Sequence, residues 1–311
     1  KMGAPLTYKA AKGILEAITE KGSKVIIGTG FLIAPSFKPE TDGPIAAALL
    51  ARALDLLGAK PIIVAEEGAL SSIKAAALAA ELNVYDDIEK SEVVPHSVAV
   101  IAYPAEKAAA KKMSDYIINQ VKPKAMVSIE HPGQGENGKY FTAFGRQLLD
   151  WVAPIDELLR DLRKAGAFTV GIGDLGNEAG LGNAQPEILE AIPYADIGVA
   201  TVIESDAPIM ANISEVGTYG LIAALSVVSG NLVLHDARIQ EITTRAAVAG
   251  GAVEGVGGNP KACIDLIDIK YINYVIELLH CIMIYGEIHS KTRPYCIDFM
   301  QKKDGNRFSL N

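Results

Sequence analysis

Hydrophobic positions along this chain follow two patterns of different length. Short apolar runs occur at Lys24–Ile27, Pro61–Val64, Val98–Ile101, Ala125–Ile129 and Ala167–Val170. Longer stretches with helical spacing separate or follow them, at Pro44–Leu57, Ser71–Leu82, Ala105–Asn119, Glu215–Val228, Arg238–Ala249 and Val275–Gly286. Strands that alternate with helices predict an α/β fold with a mostly parallel or mixed sheet and helices on both faces.

The same pattern predicts where functional side chains gather, because ligands of open parallel sheets bind at the carboxyl ends of strands. The predicted strands end at Gly28-Thr29-Gly30, at Glu66 and Glu67, at Glu130, and at Asp174. We expect one shared cleft there. Simpler alternatives are that Glu66 and Glu67 are solvated loop acids and that Gly28 and Gly30 only provide tight backbone geometry.

Length and composition limit the classes of protein. The chain has 311 residues, of which 50% are hydrophobic, which suits one large α/β unit; two closely packed lobes, about 1–165 and 166–290, are the alternative. We expect the polar tail from Lys302 to fray. A net charge of −8 without a basic stripe argues against nucleic acid as a partner.

No apolar run reaches the roughly 18 residues of a membrane span, and no secretory signal is evident. We therefore expect a cytoplasmic protein with no membrane partner. We also expect it to form a homo-oligomer. Cys263, Cys281 and Cys296 are too few and scattered to predict a disulfide framework or a zinc site.

The most informative segment is Gly171–Asn183, which holds five glycines, Asp174 and Glu178 directly behind an apolar run. Its G-x-G-x-x-G spacing is typical of a turn that binds phosphate through backbone N–H groups. A bare pyrophosphate would meet the Asp174 carboxylate, so a divalent cation between the two charges is the favoured interpretation.

Two alternatives to that cation apply to the same segment. A dinucleotide site would need an acid after the next strand, whereas Asp196 precedes the apolar run Ile197–Ile203. Asp174 could also simply cap a helix, but Glu178, four residues later on the same helical face, would then be unexplained. The glycine-rich stretch Gly250–Pro260 is either a mobile cover or a connection.

Four motifs carry a resemblance to a known family. They are Phe37–Pro44 with its E-T-D-G-P sequence, Ser128–Gly133, Gly171–Asn183 and Gly251–Gly255. Over roughly Lys24 to Glu287 the chain resembles the family of the C-terminal domain of D-glutamate cyclase, long catalogued as a domain of unknown function. His131 replaces a frequent family arginine, a second family arginine is missing from Asn137–Gly145, and Glu254 replaces an aspartate.

The resemblance implies an α/β enzyme that closes D-glutamate to 5-oxo-D-proline with the help of manganese. It implies Glu40, Asp42, Glu130, Asp174 and Glu178 as metal ligands, and Thr41, Asn177 and Glu178 as catalytic candidates. The missing arginines bear on the substrate, because arginines are expected to grip carboxylates.

Oxygen ligands without histidine select Mn²⁺ or Mg²⁺, with Ca²⁺ as an alternative, over zinc. We expect no nucleotide cofactor. A metal would polarise the carboxylate of a small acidic substrate while Glu178 removes a proton from the amine. Candidate substrate contacts are Gly28, Thr29, Gly30, Gly173 and Gly176. Two other functions fit the same acids: a metal-dependent phosphohydrolase acting on a small phosphoester, and a non-catalytic metal-binding or assembly protein.

Overall fold

The computed structural model describes residues 4–192 and 197–292, with side chains up to residue 286. The helices of these ranges are α1 (Leu6–Ala17), α2 (Pro44–Leu56), α3 (Leu70–Ala79), α4 (Ile88–Val93), α5 (Lys107–Tyr116), α6 (Ile155–Lys164), α7 (Gln185–Ala191), α8 (Ser214–Ser229), α9 (Ala237–Ala249) and α10 (Ile269–Thr292). Asp196, Cys296 and the predicted tail from Lys302 lie outside the described residues.

The strands form one large sheet and three short hairpin-like pairs. They are β1 (Lys24–Thr29), β2 (Leu32–Ile33), β3 (Lys38–Pro39), β4 (Lys60–Ala65), β5 (Asn83–Tyr85), β6 (Ser97–Ala102), β7 (Ala125–Ile129), β8 (Tyr140–Phe141), β9 (Gln147–Leu148), β10 (Phe168–Gly173), β11 (Ala207–Met210), β12 (Cys263–Ile264) and β13 (Ile267–Asp268). The large sheet has seven strands in the order β11-β10-β7-β1-β4-β6-β5. All its pairings are parallel, which confirms the predicted α/β fold.

Two hydrophobic cores cover the two faces of this sheet. Side chains alternate along a strand, so Val25 and Ile27 of β1 join the core under α1, α2, α3, α8 and α9, whereas Ile26 joins the core under α5 and α6. Every residue of β1 after Lys24 is buried. Helices therefore lie on both faces. The part of the sheet that is left for functional polar side chains is the edge where the strands end.

The strand order changes direction between β1 and β7. From β1 the chain builds β4, β5 and β6 on one side, then returns to place β7, β10 and β11 on the other. Val25 pairs with Ala125 and Thr29 with Ile129 in this central register. A crevice outside the carboxyl ends of strands at such a switch point is where doubly wound sheets bind ligands.

Several element boundaries differ from the sequence prediction. The apolar run Ile197–Ile203 is not a strand: Gly198 has φ 86°, and Ile197 and Val202 are exposed. The short segment β11 forms the edge strand instead, and α6 was not predicted. The five predicted strands are all present, with β10 three residues longer than expected at its carboxyl end.

The sheet continues across the lobe division proposed from sequence, since β7 pairs with β10 from Phe168–Ala125 to Ile172–Ile129. Whether the chain is one unit or two packed lobes stays a prediction. In the described ranges, no helix has both the length and the apolar character to cross a membrane. The long helix α10 exposes Tyr271, Tyr274, Leu278 and Ile282 along one side.

Candidate functional site

Two groups of carboxylates meet at the carboxyl ends of β1, β7 and β10. One contains Asp42, Asp174 and Asp265, and the other contains Glu130, Asp174 and Glu178. In each group, one oxygen from every residue lies within 4.8 Å of the others. Asp174 belongs to both groups, so the structure brings together Asp42, Glu130, Asp174 and Glu178 from separate sequence motifs.

The sheet register places Glu130 beside the glycine turn. Glu130 directly follows β7, and its N–H continues the ladder to the carbonyl of Ile172 in β10 at 3.1 Å. Its φ of 44° is in the left-handed region, an uncommon conformation for a residue with a side chain that is often found at functional sites. The Ser214 hydroxyl at the start of α8 donates a hydrogen bond to its carboxylate.

The glycine turn is organised around Glu178, which is fully buried. Its carboxylate accepts the N–H groups of Asp174 at 2.8 Å, Leu175 at 2.9 Å and Gly176 at 2.7 Å. These are the backbone donors that the G-x-G-x-x-G spacing would offer to a phosphate. Glu178 therefore fixes the turn that presents Asp174.

Backbone hydrogen bonds join this turn to the segment after β7. Ala179 N–H donates to the His131 carbonyl, and Gly133 N–H donates to the Asn177 carbonyl, both at 2.8 Å. The Asn177 side-chain amide donates to the Phe141 carbonyl at 3.0 Å. Asn177 thus supports the backbone that holds Glu130 and Glu178 together, and its side chain is directed to β8.

Asp42 and Glu215 connect the N-termini of α8 and α2 to the site. Its carboxylate accepts the N–H groups of Ser214 at 3.0 Å and Glu215 at 2.8 Å, at the beginning of α8. Glu215 in turn accepts the N–H of Ala46 in the first turn of α2 at 2.9 Å. Free N–H groups and the positive end of the helix dipole both favour negative charge there, which allows several acids to be buried together.

The segment from Ala252 to Asp265 closes another side of the cluster. Thr41 donates its N–H to the Val253 carbonyl and its hydroxyl to the Cys263 carbonyl, both at 2.8 Å. Gly255 packs directly against the Glu40 carboxylate, so that a Cβ at this position would collide with it. Asp265, at φ 46°, completes the first carboxylate group.

Burial and mutual repulsion disfavour ionisation of these acids. Burial first, and then the charge of Glu178, raise the pKa of Asp174 to about 8. Burial raises the pKa of Glu215 to about 8. Burial is also the main cause of the raised pKa values of Glu40, Asp42, Glu130 and Asp265, and the largest charge effects on them come from other carboxylates.

The donor set fits a hard divalent cation. All the ligating atoms are carboxylate oxygens, which suit Mn²⁺, Mg²⁺ or Ca²⁺ rather than zinc. In the described parts of the chain, no lysine, arginine or histidine forms an ion pair with any of these acids. The acids of the cluster are therefore left to one another, to backbone N–H groups and to hydroxyls among the described residues.

The candidate glycines lie against protein atoms. A Cβ would meet Ile155 at Gly28, Glu66 at Gly30, Glu178 at Gly173 and Ile188 at Gly176. The buried Thr29 hydroxyl has no hydrogen-bond partner among the described residues and lies beside Gly43 and Glu130. Of the substrate contacts predicted from sequence, Thr29 is the one with an unused polar atom at the cluster.

Glu66 and Glu67 behave differently from each other. Glu67 is exposed, as the solvated alternative predicted, whereas Glu66 is buried. Glu66 accepts hydrogen bonds from His131 Nε2 and the Ala153 N–H, both at 3.0 Å. His131 Nδ1 lies 3.0 Å from the Pro132 carbonyl. Two acceptors around one ring are satisfied by a protonated imidazolium, so this pair is charge-balanced.

Sequence reasoning missed Asp265 and the capping role of Glu215. Asp265 follows a glycine-rich stretch without a recognisable motif, and its position depends on the fold of the whole loop. Glu215 stands in the first turn of a helix that was predicted from sequence, where an acid is a known signal. That signal could have identified Glu215 as a candidate, but it could not have predicted the hydrogen bond from the Ala46 N–H in α2.

Comparison with known proteins identifies the family of this chain. The human protein named "D-glutamate cyclase, mitochondrial" is 26% identical over an alignment of 239 residues, and the match covers 74% of this chain and 36% of that protein. The chain thus spans about a third of the length of the curated relative it matches. A family model described as "D-glutamate cyclase-like, C-terminal" matches residues 3–280, and this chain therefore belongs to that family.

Proposed function

We propose that this protein is a divalent-metal-dependent enzyme that closes D-glutamate to 5-oxo-D-proline and water. The observation that carries the proposal is the pair of carboxylate groups sharing Asp174 at the switch point of the sheet. Family membership supports the choice of this reaction, because the human relative is named for D-glutamate cyclisation.

The metal would be held by Asp42, Asp174 and Asp265, with Glu130 and Glu178 forming the second group of acids that shares Asp174. A bound Mn²⁺ or Mg²⁺ would polarise the side-chain carboxylate of the substrate as a Lewis acid. In the reaction the amine nitrogen bonds to that carboxylate carbon, and one carbon–oxygen bond breaks. Of the three ammonium protons, one stays on the lactam nitrogen and two leave with the oxygen as water.

Glu40 is the residue we propose for proton transfer. Its carboxylate accepts no hydrogen bond from the described residues, and burial followed by the charge of Asp265 raises its pKa. A carboxylate whose pKa is raised is a stronger base than an ordinary one, which suits a group that takes a proton from an ammonium and returns it to a departing oxygen. Glu178 is the base proposed from sequence, but its carboxylate accepts hydrogen bonds from three backbone N–H groups. We propose that Glu178 instead helps to hold the metal and fixes the conformation of the glycine turn.

Thr41 and Asn177 would act as positioning residues. The Thr41 hydroxyl holds the Cys263 carbonyl two residues before Asp265, and Asn177 holds the segment between β7 and β8. Proximity would then contribute much of the rate acceleration, because the amine and the carboxylate belong to one molecule.

The phosphohydrolase alternative is less well supported by this geometry. The N–H groups of Asp174, Leu175 and Gly176 already donate to Glu178, so they are not available to a phosphate without rearrangement. Homo-oligomerisation and a cytoplasmic location stay predictions; the human relative is named as mitochondrial.

A substrate panel with controlled metal tests the proposal. Purified protein is stripped with chelator, reloaded with Mn²⁺, Mg²⁺ or Ca²⁺, and incubated with D-glutamate, L-glutamate and small phosphoesters. We expect 5-oxo-D-proline, identified by chiral chromatography, from D-glutamate with Mn²⁺ or Mg²⁺ and none after chelation. Phosphate release instead would support the phosphohydrolase, and turnover of neither would leave a metal-binding protein.

A further inference from the structure

Helix α10 carries apolar side chains on two opposite faces. The inner face packs on the main hydrophobic core beside α8 and α9, and its residues are Ile269, Ile272, Ile276, Leu279 and Met283. The outer face consists of Tyr271, Tyr274, Leu278 and Ile282, whose side chains are 57–58% exposed. Both sets repeat at intervals of three and four residues, so each forms a continuous stripe along the helix. A helix that is apolar all round is normally buried on all sides, and the outer stripe therefore indicates a binding surface.

The exposed surface is large enough for a protein interface. The rings of Tyr271 and Tyr274 pack edge to face at 6.1 Å, and the neighbouring hairpin of β12 and β13 adds exposed Leu266 and Ile267. With about 150–250 Å² for a whole aromatic side chain, these exposed parts offer roughly 500 Å² from one copy. Two such surfaces in contact would bury about 1,000 Å², the size at which specific protein interfaces begin.

Two charged side chains lie along one flank of the outer stripe. Lys270 and Glu277 are exposed and seven residues apart, which is close to two helical turns, so they share this flank. The Lys270 ammonium lies 5.9 Å from the ring centroid of Tyr271. Within the described residues, neither Lys270 nor Glu277 takes part in an ion pair.

We propose that the outer face of α10 binds the same face of a second copy of this chain, with the two helices antiparallel. A two-fold axis between Asn273 and Tyr274 lies midway between Lys270 and Glu277. Because a two-fold axis of this kind brings equivalent flanks together, each Lys270 then faces Glu277 of the second copy, and two ion pairs border the apolar contact.

The charges favour this direction over a parallel one. In a parallel pair, the flank that carries Lys270 and Glu277 would meet the opposite flank of the second helix, which carries Val275 and Ile282. Both charges would then face apolar side chains without a partner, at a cost in desolvation. An anionic membrane surface is also a poor occupant of this face, because the chain has a net charge of −8.

The antiparallel arrangement connects the interface to the carboxylate cluster. The carboxyl half of each helix would extend over the start of α10 in the second copy, towards its β12–β13 hairpin. This hairpin carries Asp265 of the cluster next to exposed Leu266. The second copy would therefore cover apolar surface beside Asp265, although the inference itself does not depend on the reaction.

Sedimentation velocity over a dilution series tests the interface with Leu278→Glu. The wild type should be a dimer that dissociates on dilution, and Leu278→Glu should raise the Kd at least about a hundredfold, because each dimer would bury two unpaired carboxylates. Leu78→Glu is the matched control: Leu78 in α3 is 61% exposed, so the variant should dimerise like the wild type. Circular dichroism checks that both variants are folded.

Charge reversal tests the antiparallel register. Lys270→Glu or Glu277→Lys alone should raise the dimer Kd about tenfold, because like charges then meet at two places. The double variant Lys270→Glu/Glu277→Lys restores both pairs and should return the Kd to within about twofold of wild type. If Leu278→Glu separates the copies but the double variant stays as weak as the singles, the antiparallel register is wrong.

Two results would overturn the whole inference. One is a wild type that stays monomeric at every concentration, including one that instead binds neutral lipid vesicles through α10. The other is a dimer whose Kd does not respond to Leu278→Glu, because its interface would then lie elsewhere on the molecule.

Discussion

Two buried polar regions adjoin each other at the carboxyl edge of the sheet, and they differ in how the charge of their buried acids is compensated. In the first, Glu66 faces the imidazolium of His131 at 3.0 Å, and Asp156 accepts the Tyr140 hydroxyl at 2.7 Å and the Gln134 N–H at 3.1 Å. In the second, Asp42, Asp174 and Asp265 approach one another without a cation from the described chain.

The pKa values express the same difference. Burial lowers the pKa of His131, but the charge of Glu66 and its hydrogen bond raise it above the usual value. In the carboxylate cluster, burial and the neighbouring charges both raise the pKa, and the pKa of Asp174 reaches about 8. A hydrogen-bonded pair such as Glu66 and His131 balances its charge within the fold, whereas a group of acids with raised pKa values in one crevice is typical of a functional site.

The largest expected effect is that of Asp174→Asn, because both carboxylate groups share this residue. Turnover of D-glutamate should fall about a thousandfold, since a Lewis acid contributes several kcal/mol. Mn²⁺ at a hundredfold excess over its Kd should stabilise wild type by about 2.7 kcal/mol in thermal melts, and the mutant should lose most of this gain.

The chelated state is the control for that substitution. Without metal, Asp174→Asn should be at least as stable as wild type near neutral pH, because the raised pKa of Asp174 means that folding must protonate this acid, whereas asparagine needs no proton. A mutant that keeps the full Mn²⁺ shift, or a wild type that shows no metal-specific shift, would contradict a metal role for Asp174. The helix-cap alternative is wrong in either case, because residues 174–181 form a turn and no helix begins there.

His131→Leu probes the balanced region. It leaves Glu66 buried with the Ala153 N–H as its remaining partner, and we expect a loss of about 3 kcal/mol in the free energy of unfolding, at the lower end for a broken buried pair. Urea denaturation should give the same loss with Mn²⁺ and with chelator. The double mutant Glu66→Gln/His131→Leu should lose less than the sum of the single mutants; a loss that depends on metal would place His131 in the metal site.

The pH dependence of the chelated protein tests the carboxylate cluster through the comparison with Asp174→Asn, because the raised pKa of His131 contributes with the same sign in both proteins. Asp174 and Glu215 have pKa values of about 8 in the folded state, above their unfolded values. Their contribution to stability is complete at acid pH and is lost as pH rises towards 8, by about 1.4 kcal/mol per pH unit for each proton released on unfolding.

The measurement belongs between pH 6.5 and 8. Below that range His235, whose pKa burial lowers to about 4, has the opposite sign: its unfolded form takes up a proton first, so stability falls as pH decreases. Urea titrations of chelated wild type should therefore show decreasing stability from pH 6.5 to 8, with a smaller slope for Asp174→Asn. Equal slopes would mean that Asp174 is ionised throughout the range.

The contrast also explains what sequence could predict. The strands from Lys24, Pro61, Val98 and Ala125 are visible as apolar runs because both faces of the sheet are buried. Glu130 and Asp174 follow strand ends, so a local rule identified them. Asp265 lies in a loop fixed by Thr41, more than two hundred residues earlier, and the Glu66–His131 pair depends on the order of β4, β1 and β7. Neither long-range arrangement leaves a local signal.

The smallest expected effect concerns Gly255, whose backbone packs against the carboxylate cluster. In Gly255→Ala the new Cβ would collide with the Glu40 carboxylate and lie 3.2 Å from Asp265 Oδ1. Glu40 is the movable partner, so we expect about a tenfold loss of kcat with less than about 1 kcal/mol lost in unfolding. Gly286→Ala in α10, where no atom lies within 4 Å of the added carbon, is the matched control and should keep full activity. If Gly255→Ala retained wild-type kcat, Glu40 would be free to move without consequence, and its proposed role in proton transfer would be wrong.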